Sequence, residues 1–153
     1  MMKLEKGKLA PDFVLADNQG GQVKLSDLRG KKVLLSWHPL AWTSVCTDQM
    51  RALETHFDQF EKLNTIALGL SVDSMPSKKV WAEVLSISKT KLLADFYPHG
   101  QVAKEQGLFL EELGASGRAN IIIDEQGVVQ WVKVYPVPEL PNLDEVIEVL
   151  KSL

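Results

Sequence analysis

An α/β architecture with a mixed central sheet, flanking helices and an N-terminal β-hairpin extension is the fold class this sequence predicts, on three observations. Two strand-length apolar runs, residues 33–37 and 65–72, are separated by a segment whose apolar residues recur at helical spacing, the pattern of a parallel βαβ unit. Farther on, residues 119–124 and 128–134 read as strands joined by Glu125-Gln126-Gly127, a short hairpin loop ending on glycine, with a helical segment behind them. A parallel unit and an antiparallel hairpin in one chain make a mixed sheet covered by helices. Third, the 153 residues are 45% hydrophobic and 24% charged, an ordinary globular composition that fits one domain over residues 1–153.

The elements follow in order. Phe13-Val14-Leu15 and Val23-Lys24-Leu25 flank Asn18-Gln19-Gly20-Gly21 and read as a hairpin. Residues 33–37 form a short strand that Pro39 stops, since proline cannot sit inside a central strand. Cys46, Met50, Leu53, Phe57 and Phe60 then recur at steps of four and three, one face of a single helix. Thr43 or Ser44 is its N-cap, each offering a hydroxyl to an unpaired backbone N–H. Residues 65–72 are the second buried strand. Pro76 opens a helix carrying Val80, Trp81, Val84 and Leu85. Residues 92–94 make a short strand, and residues 101–106 a short helix that Gly107 ends. After the C-terminal hairpin, Asn142 with Glu145 three positions on opens a last helix through Val146, Ile147 and Leu150.

Bulk properties remove several function classes. A net charge of −3 provides no basic field for nucleic acid or an anionic membrane. Residues 1–8 carry no apolar core of a secretion signal, and no apolar stretch reaches the ~18 residues of a membrane span. The single cysteine forbids an intrachain disulfide and fits a reducing, cytoplasmic location. His38, His56 and His99 have no metal-ligand spacing, so neither metal nor cofactor is expected. His38 adjoins the loop before the cysteine, but nothing in the sequence gives it a role. Glu111 and Glu112 are neighbours in a solvated turn. Neither a nucleophile elbow nor a phosphate-binding glycine loop is present in the sequence.

The chemistry therefore concentrates on Cys46. It lies in the first turn of its helix on the inward face, where the helix dipole and free amides favour an anion. Thiols so placed, beside a cation, fall from about 8.5 toward ~3.5–7.5. A buried cysteine is otherwise a small, inert hydrophobe. The strand, the proline-interrupted loop, the hydroxyl of Thr43 and the helix start form a constellation that argues for reactivity.

The string Pro39-Leu40-Ala41-Trp42-Thr43-Ser44-Val45-Cys46, with spacing Pro-x3-Thr-x2-Cys, resembles the active-site loop of the peroxiredoxins. Ala10-Pro11-Asp12-Phe13, Ser71-Val72-Asp73-Ser74, Asp95-Phe96-Tyr97-Pro98-His99-Gly100 and Gly117-Arg118-Ala119-Asn120 resemble other blocks of that family. The likeness runs from about residue 8 to residue 135. It is strongest to one-cysteine bacterial members of the AhpC/TSA type, similar to alkyl hydroperoxide reductase E. It implies a thioredoxin-like fold. By resemblance Cys46 is the peroxidatic cysteine, Thr43 the hydroxyl bonding thiolate and peroxide, Pro39 the shield against water, and Arg118 the cation that steadies the thiolate. Two positions depart from the pattern. Gln49 stands where many relatives have Glu and can tether Arg118 only through a neutral carbonyl. Trp42 replaces the usual Phe, a change of shape near the pocket mouth. Both are candidates for supporting the site.

The resemblance implies a thiol-dependent peroxidase reducing hydrogen peroxide and small organic hydroperoxides to water or alcohol. A Cys46 sulfenic acid is its intermediate, and, with no second thiol in the chain, the reductant comes from outside: thioredoxin, glutaredoxin or a low-molecular-weight thiol. It also implies a homodimer. A thiol–disulfide oxidoreductase would need Cys-x-x-Cys where this chain has Thr43-Ser44-Val45-Cys46. A peroxide sensor or a holdase would share the same first step and is separated from an enzyme only by turnover.

Overall fold

A computed structural model describes residues 4–153; residues 1–3, part of the stretch read for a secretion signal, lie outside the described residues. The strands are β1 (Val14–Asp17), β2 (Gln22–Lys24), β3 (Lys32–Trp37), β4 (Thr65–Ser71), β5 (Lys91–Ala94), β6 (Phe109–Leu110), β7 (Ala115–Ser116), β8 (Arg118–Ile123) and β9 (Val129–Tyr135). The helices are α1 (Ser44–Thr55), α2 (Phe57–Lys62), α3 (Met75–Val84), α4 (Gln101–Glu105) and α5 (Leu143–Lys151). Seven strands form one sheet in the order β2-β1-β5-β4-β3-β8-β9. β3, β4 and β5 run parallel, while β8 is antiparallel to β3 and β1 antiparallel to β5. The expected mixed sheet is therefore present, with the hairpin β1–β2 at one edge.

Alternation along β3 separates two cores. Val33, Leu35 and Trp37 point to one face, with Leu68, Leu70, Leu93, Ile121 and Ala103. Leu34 points to the other, with Met50 and Leu53 of α1, Phe60 of α2, Trp81 of α3 and Val146 and Leu150 of α5. Gly69, opposite Ser36 in the ladder, is set by this second layer. A Cβ there would run into Met50 Sδ and Leu92 Cδ2, so glycine lets α1 lie close on the sheet.

Four features differ from the sequence reading. The helix that starts before Cys46 does not continue to Phe60; it ends at Thr55, and α2 begins at Phe57. His56 lies between them at φ −95°, ψ 9°; its backbone N–H still donates to Ala52 O at 3.1 Å, and its Nδ1 sits 2.8 Å from the same oxygen. On α3, Val80 and Val84 are exposed, and the buried face is Lys78, Trp81 and Ala82. The short pair β6–β7 has no counterpart in the sequence reading. At α5, Asn142 accepts from the Asp144 N–H at 2.9 Å, but Glu145 turns to Lys133 at 2.7 Å rather than closing a capping box.

Candidate active site

β3 delivers the chain to the site. His38 still follows the sheet, donating its N–H to Leu70 O at 3.0 Å, and Pro39 then turns the backbone away. The loop that follows is tied to the start of α3. Asp73 Oδ2 accepts the Ala41 N–H at 2.8 Å, and Trp42 Nε1 donates to Ser77 Oγ at 3.1 Å. These contacts hold Trp42 at φ +73°, a left-handed conformation that costs a bulky residue about 1–3 kcal/mol. The strain turns the backbone so that Thr43 becomes the N-cap residue of α1, with φ −88° and ψ 157°.

Thr43 sits in the cap position, but its hydroxyl does not cap. It donates to Leu40 O at 2.8 Å, which orients the oxygen lone pairs away from that loop carbonyl. Cys46 follows one turn into the helix, a free thiol only 1% exposed. Above it opens a cavity of about 290 Å³ walled by Pro39, Leu40, Thr43, Cys46, Arg118 and Val137, among others. Pro39 is buried in that wall.

Arg118, the first residue of β8, comes to the cysteine from 72 positions away. It is 2% exposed. Its Nη1 donates to Cys46 Sγ at 3.4 Å and to Gln49 Oε1 at 2.7 Å, and its Nε donates to Val137 O at 2.8 Å. Gln49 is itself locked, its Nε2 donating to Ser36 Oγ at 2.8 Å and to Trp37 O at 3.1 Å. That fixes which end of the amide faces the guanidinium. A neutral acceptor thus tethers the arginine while leaving its positive charge uncompensated next to the sulfur.

The structure gathers Pro39, Thr43, Cys46 and Arg118 around one cavity and puts Gln49 directly behind Arg118. Trp42 does not line that cavity; it is half exposed, at 51%, and lies against α3. His56 is engaged with Ala52, and His99 Nε2 lies 2.6 Å from Gly114 O. Sequence reasoning missed the cluster beneath the loop. His38 and Lys78 are both fully buried, with Lys78 Nζ 3.1 Å from His38 Nε2 and 2.6 Å from Ser71 Oγ. Its one signal in the sequence was a lysine three residues before Trp81, on the apolar face of α3.

A preorganised cation and a hydroxyl beside a thiol at a helix start can stabilise a thiolate and the charge that leaves it. The pattern of the AhpC/TSA family matches residues 6–132. Alkyl hydroperoxide reductase E of Mycobacterium tuberculosis is 36% identical over 132 residues, 86% of this chain and 86% of its own. The peroxiredoxin of Thermoplasma volcanium is 36% identical over 157 residues, covering 99% of this chain and 76% of its own. The crystal structure of the reduced 2-Cys peroxiredoxin of Plasmodium vivax superposes with a TM-score of 0.90 at 28% identity, over 99% of this chain and 81% of that one.

Proposed function

The chain belongs to the AhpC/TSA family, with a thioredoxin-like fold, and from that premise we propose how its residues carry out thiol-dependent peroxide reduction. It is a peroxidase of the one-cysteine type, since the sequence holds a single cysteine. Cys46 is the peroxidatic residue. Its thiolate attacks one peroxide oxygen, an S–O bond forms as the O–O bond breaks, and the leaving oxide takes a proton to become water or alcohol. The sulfenic acid condenses with an external thiol, releasing water and forming a mixed disulfide. A second thiol attacks that disulfide and frees the Cys46 thiolate.

Arg118 binds the peroxide oxygens and holds negative charge as it moves along the O–O axis. Thr43 positions the peroxide for in-line attack, and Pro39 keeps bulk water from the sulfur. Gln49 supports Arg118, and Trp42 supports the loop through Ser77. The observation that carries this reading is the Arg118 guanidinium 3.4 Å from Cys46 Sγ, brought there by long-range folding and buried with it.

Members of the family act on peroxides with thiol reductants and commonly form dimers. We assign this chain a homodimer. Leu40, Trp42, Val80 and Val84 are large apolar side chains left exposed on the loop and on the face of α3 that carries Ser77, and they support that assignment. We also assign the whole of residues 1–153 to one domain and its action to the cytoplasm, where thiols are kept reduced. Among the described residues, no helix is long and apolar enough to cross a membrane. The test is steady-state consumption of hydrogen peroxide and a small organic hydroperoxide with thioredoxin, glutaredoxin and a low-molecular-weight thiol as donors. Turnover with at least one donor, lost in Cys46→Ser, is expected; turnover near the wild-type level in Cys46→Ser overturns the assignment.

A further inference from the structure

β4 starts before one of its neighbours in the sheet. It pairs with β3 from Thr65, but β5 joins it only at Lys91, level with Leu68. Along a strand the backbone groups of successive residues turn to opposite sides. Lys32 donates its N–H to Asn64 O at 2.9 Å and His38 donates to Leu70 O at 3.0 Å, so the even-numbered residues face β3. Asp95 donates to Ser71 O at 2.8 Å, so the odd-numbered residues face β5. The N–H and C=O of Thr65 and the N–H of Ala67 thus point where β5 has not begun, and no group among the described residues pairs with them. Open groups on a strand edge are a template for another strand, and Thr65 carries them at only 6% exposure.

These groups face a cavity of about 230 Å³. Val23 and Leu28 wall it on one face of the sheet and Phe57 of α2 on the other. Its charged groups are Lys31, Lys89 and Lys91 against one carboxylate, Glu61, a cationic lining in a chain of net charge −3. Lys91 also reaches Asp17 at 3.7 Å, while Lys89 reaches Asp58 at 3.6 Å and lies 5.4 Å from the centre of the Phe57 ring. Where β5 begins, the way along the edge is closed. A segment laid parallel to β4 beside Thr65 and Ala67 has to end there, next to Lys89 and Lys91.

We propose that this cavity binds the C-terminus of a peptide as a short added strand. The last residue donates its N–H to Thr65 O, and its carboxylate accepts the Ala67 N–H. The carbonyl two residues back accepts the Thr65 N–H. These bonds continue the β4–β5 ladder, and the lysines meet the charge of the carboxylate. In that register the last side chain lies level with Ile66, on the face of Val23 and Leu28, where an apolar residue fits. The residue before it turns toward Phe57. At about 30 Å³ per water-sized group the cavity has room for roughly eight such groups, the size of one apolar residue with its carboxylate. An internal segment would run into Lys91, and a cation would meet the ammonium groups of the lining. Cys46 lies at the other end of the sheet, past Trp37, so this site is independent of the peroxidase reading.

The test is titration of the full chain with acetyl-valyl-leucine at millimolar concentration, followed by amide NMR. Saturable shifts are expected at Thr65 and Ala67. Acetyl-valyl-leucinamide, which lacks the carboxylate, should bind roughly tenfold more weakly, the low end for losing a hydrogen bond to a charged group. Lys89→Gln, at an exposed position, should weaken acetyl-valyl-leucine by about two- to fivefold, the scale of an exposed ion pair. Octanoate, an apolar anion without a peptide group, should bind more weakly than the dipeptide. Equal affinity for the amide or for octanoate overturns the proposal, as do shifts confined to the cavity above Cys46 or no saturable shift at Thr65 and Ala67.

Discussion

Replacing Arg118 with alanine perturbs the site at its most constrained point. The guanidinium serves Cys46 Sγ, Gln49 Oε1 and Val137 O together, and among the described residues no other side chain donates to the sulfur. Removing a preorganised donor from a water-poor site costs roughly 10²–10³ in rate, or about 2.7–4 kcal/mol of transition-state stabilisation. Alanine also leaves Gln49 Oε1 buried without its donor, a stability cost of about 1–3 kcal/mol. The two effects separate experimentally. Stopped-flow fluorescence after mixing reduced protein with peroxide reads the rate, and a thermal melt reads the fold. Alkylation of Cys46 by iodoacetamide reads the thiolate fraction alone, because it needs no stabilisation of a leaving oxide. Arg118→Ala should slow peroxide attack far more than alkylation. Arg118→Lys should recover little, since a single ammonium cannot span the sulfur, the amide and the carbonyl. A folded Arg118→Ala protein that attacks peroxide as fast as wild type would refute the role given to this residue.

Thr43→Ser should keep most of the peroxide rate and Thr43→Val lose it, measured in the same mixing experiment; equal rates would reduce the hydroxyl to a tie on Leu40 O. Excess peroxide without reductant should carry Cys46 to sulfinic acid, seen by intact mass as the gain of two oxygens. Gly69→Ala should destabilise the fold by about 1–3 kcal/mol in denaturant melts, because the added methyl meets Met50 and Leu92. Lys78 also makes stability depend on pH. Its folded value of about 7 lies below the free value of 10.5, so the unfolded chain binds more protons between them, and stability rises with pH across that window. Urea midpoints at pH 7 and pH 9 should show the rise in wild type and a flatter response in Lys78→Met.

The strands and the cysteine loop were legible because each has a local signal. Apolar runs marked β3 and β4, and proline, hydroxyl and thiol at fixed offsets marked the loop. The end of α1 was not legible, since apolar spacing runs unbroken through Leu53, Phe57 and Phe60 while the break is a backbone change at His56, a polar position outside that spacing. Which face of α3 is buried was not legible either. Val80 and Val84 look like core, yet the helix buries Lys78, whose partners lie 40 and 7 residues away. β6 and β7, two residues each, are too short to carry a period. Arg118 reached the site through the resemblance alone, because no local rule links a strand start to a helix 72 residues earlier.

The most direct test adds one equivalent of hydrogen peroxide to reduced protein with no thiol donor, follows peroxide loss, and locates the oxidised residue by mass. A peroxidatic Cys46 predicts about one peroxide consumed per chain, a sulfenic acid trapped at that residue, and recovery of the thiol when a donor is supplied. Peroxide left unconsumed, or oxidation found elsewhere while Cys46 stays a thiol, would contradict it.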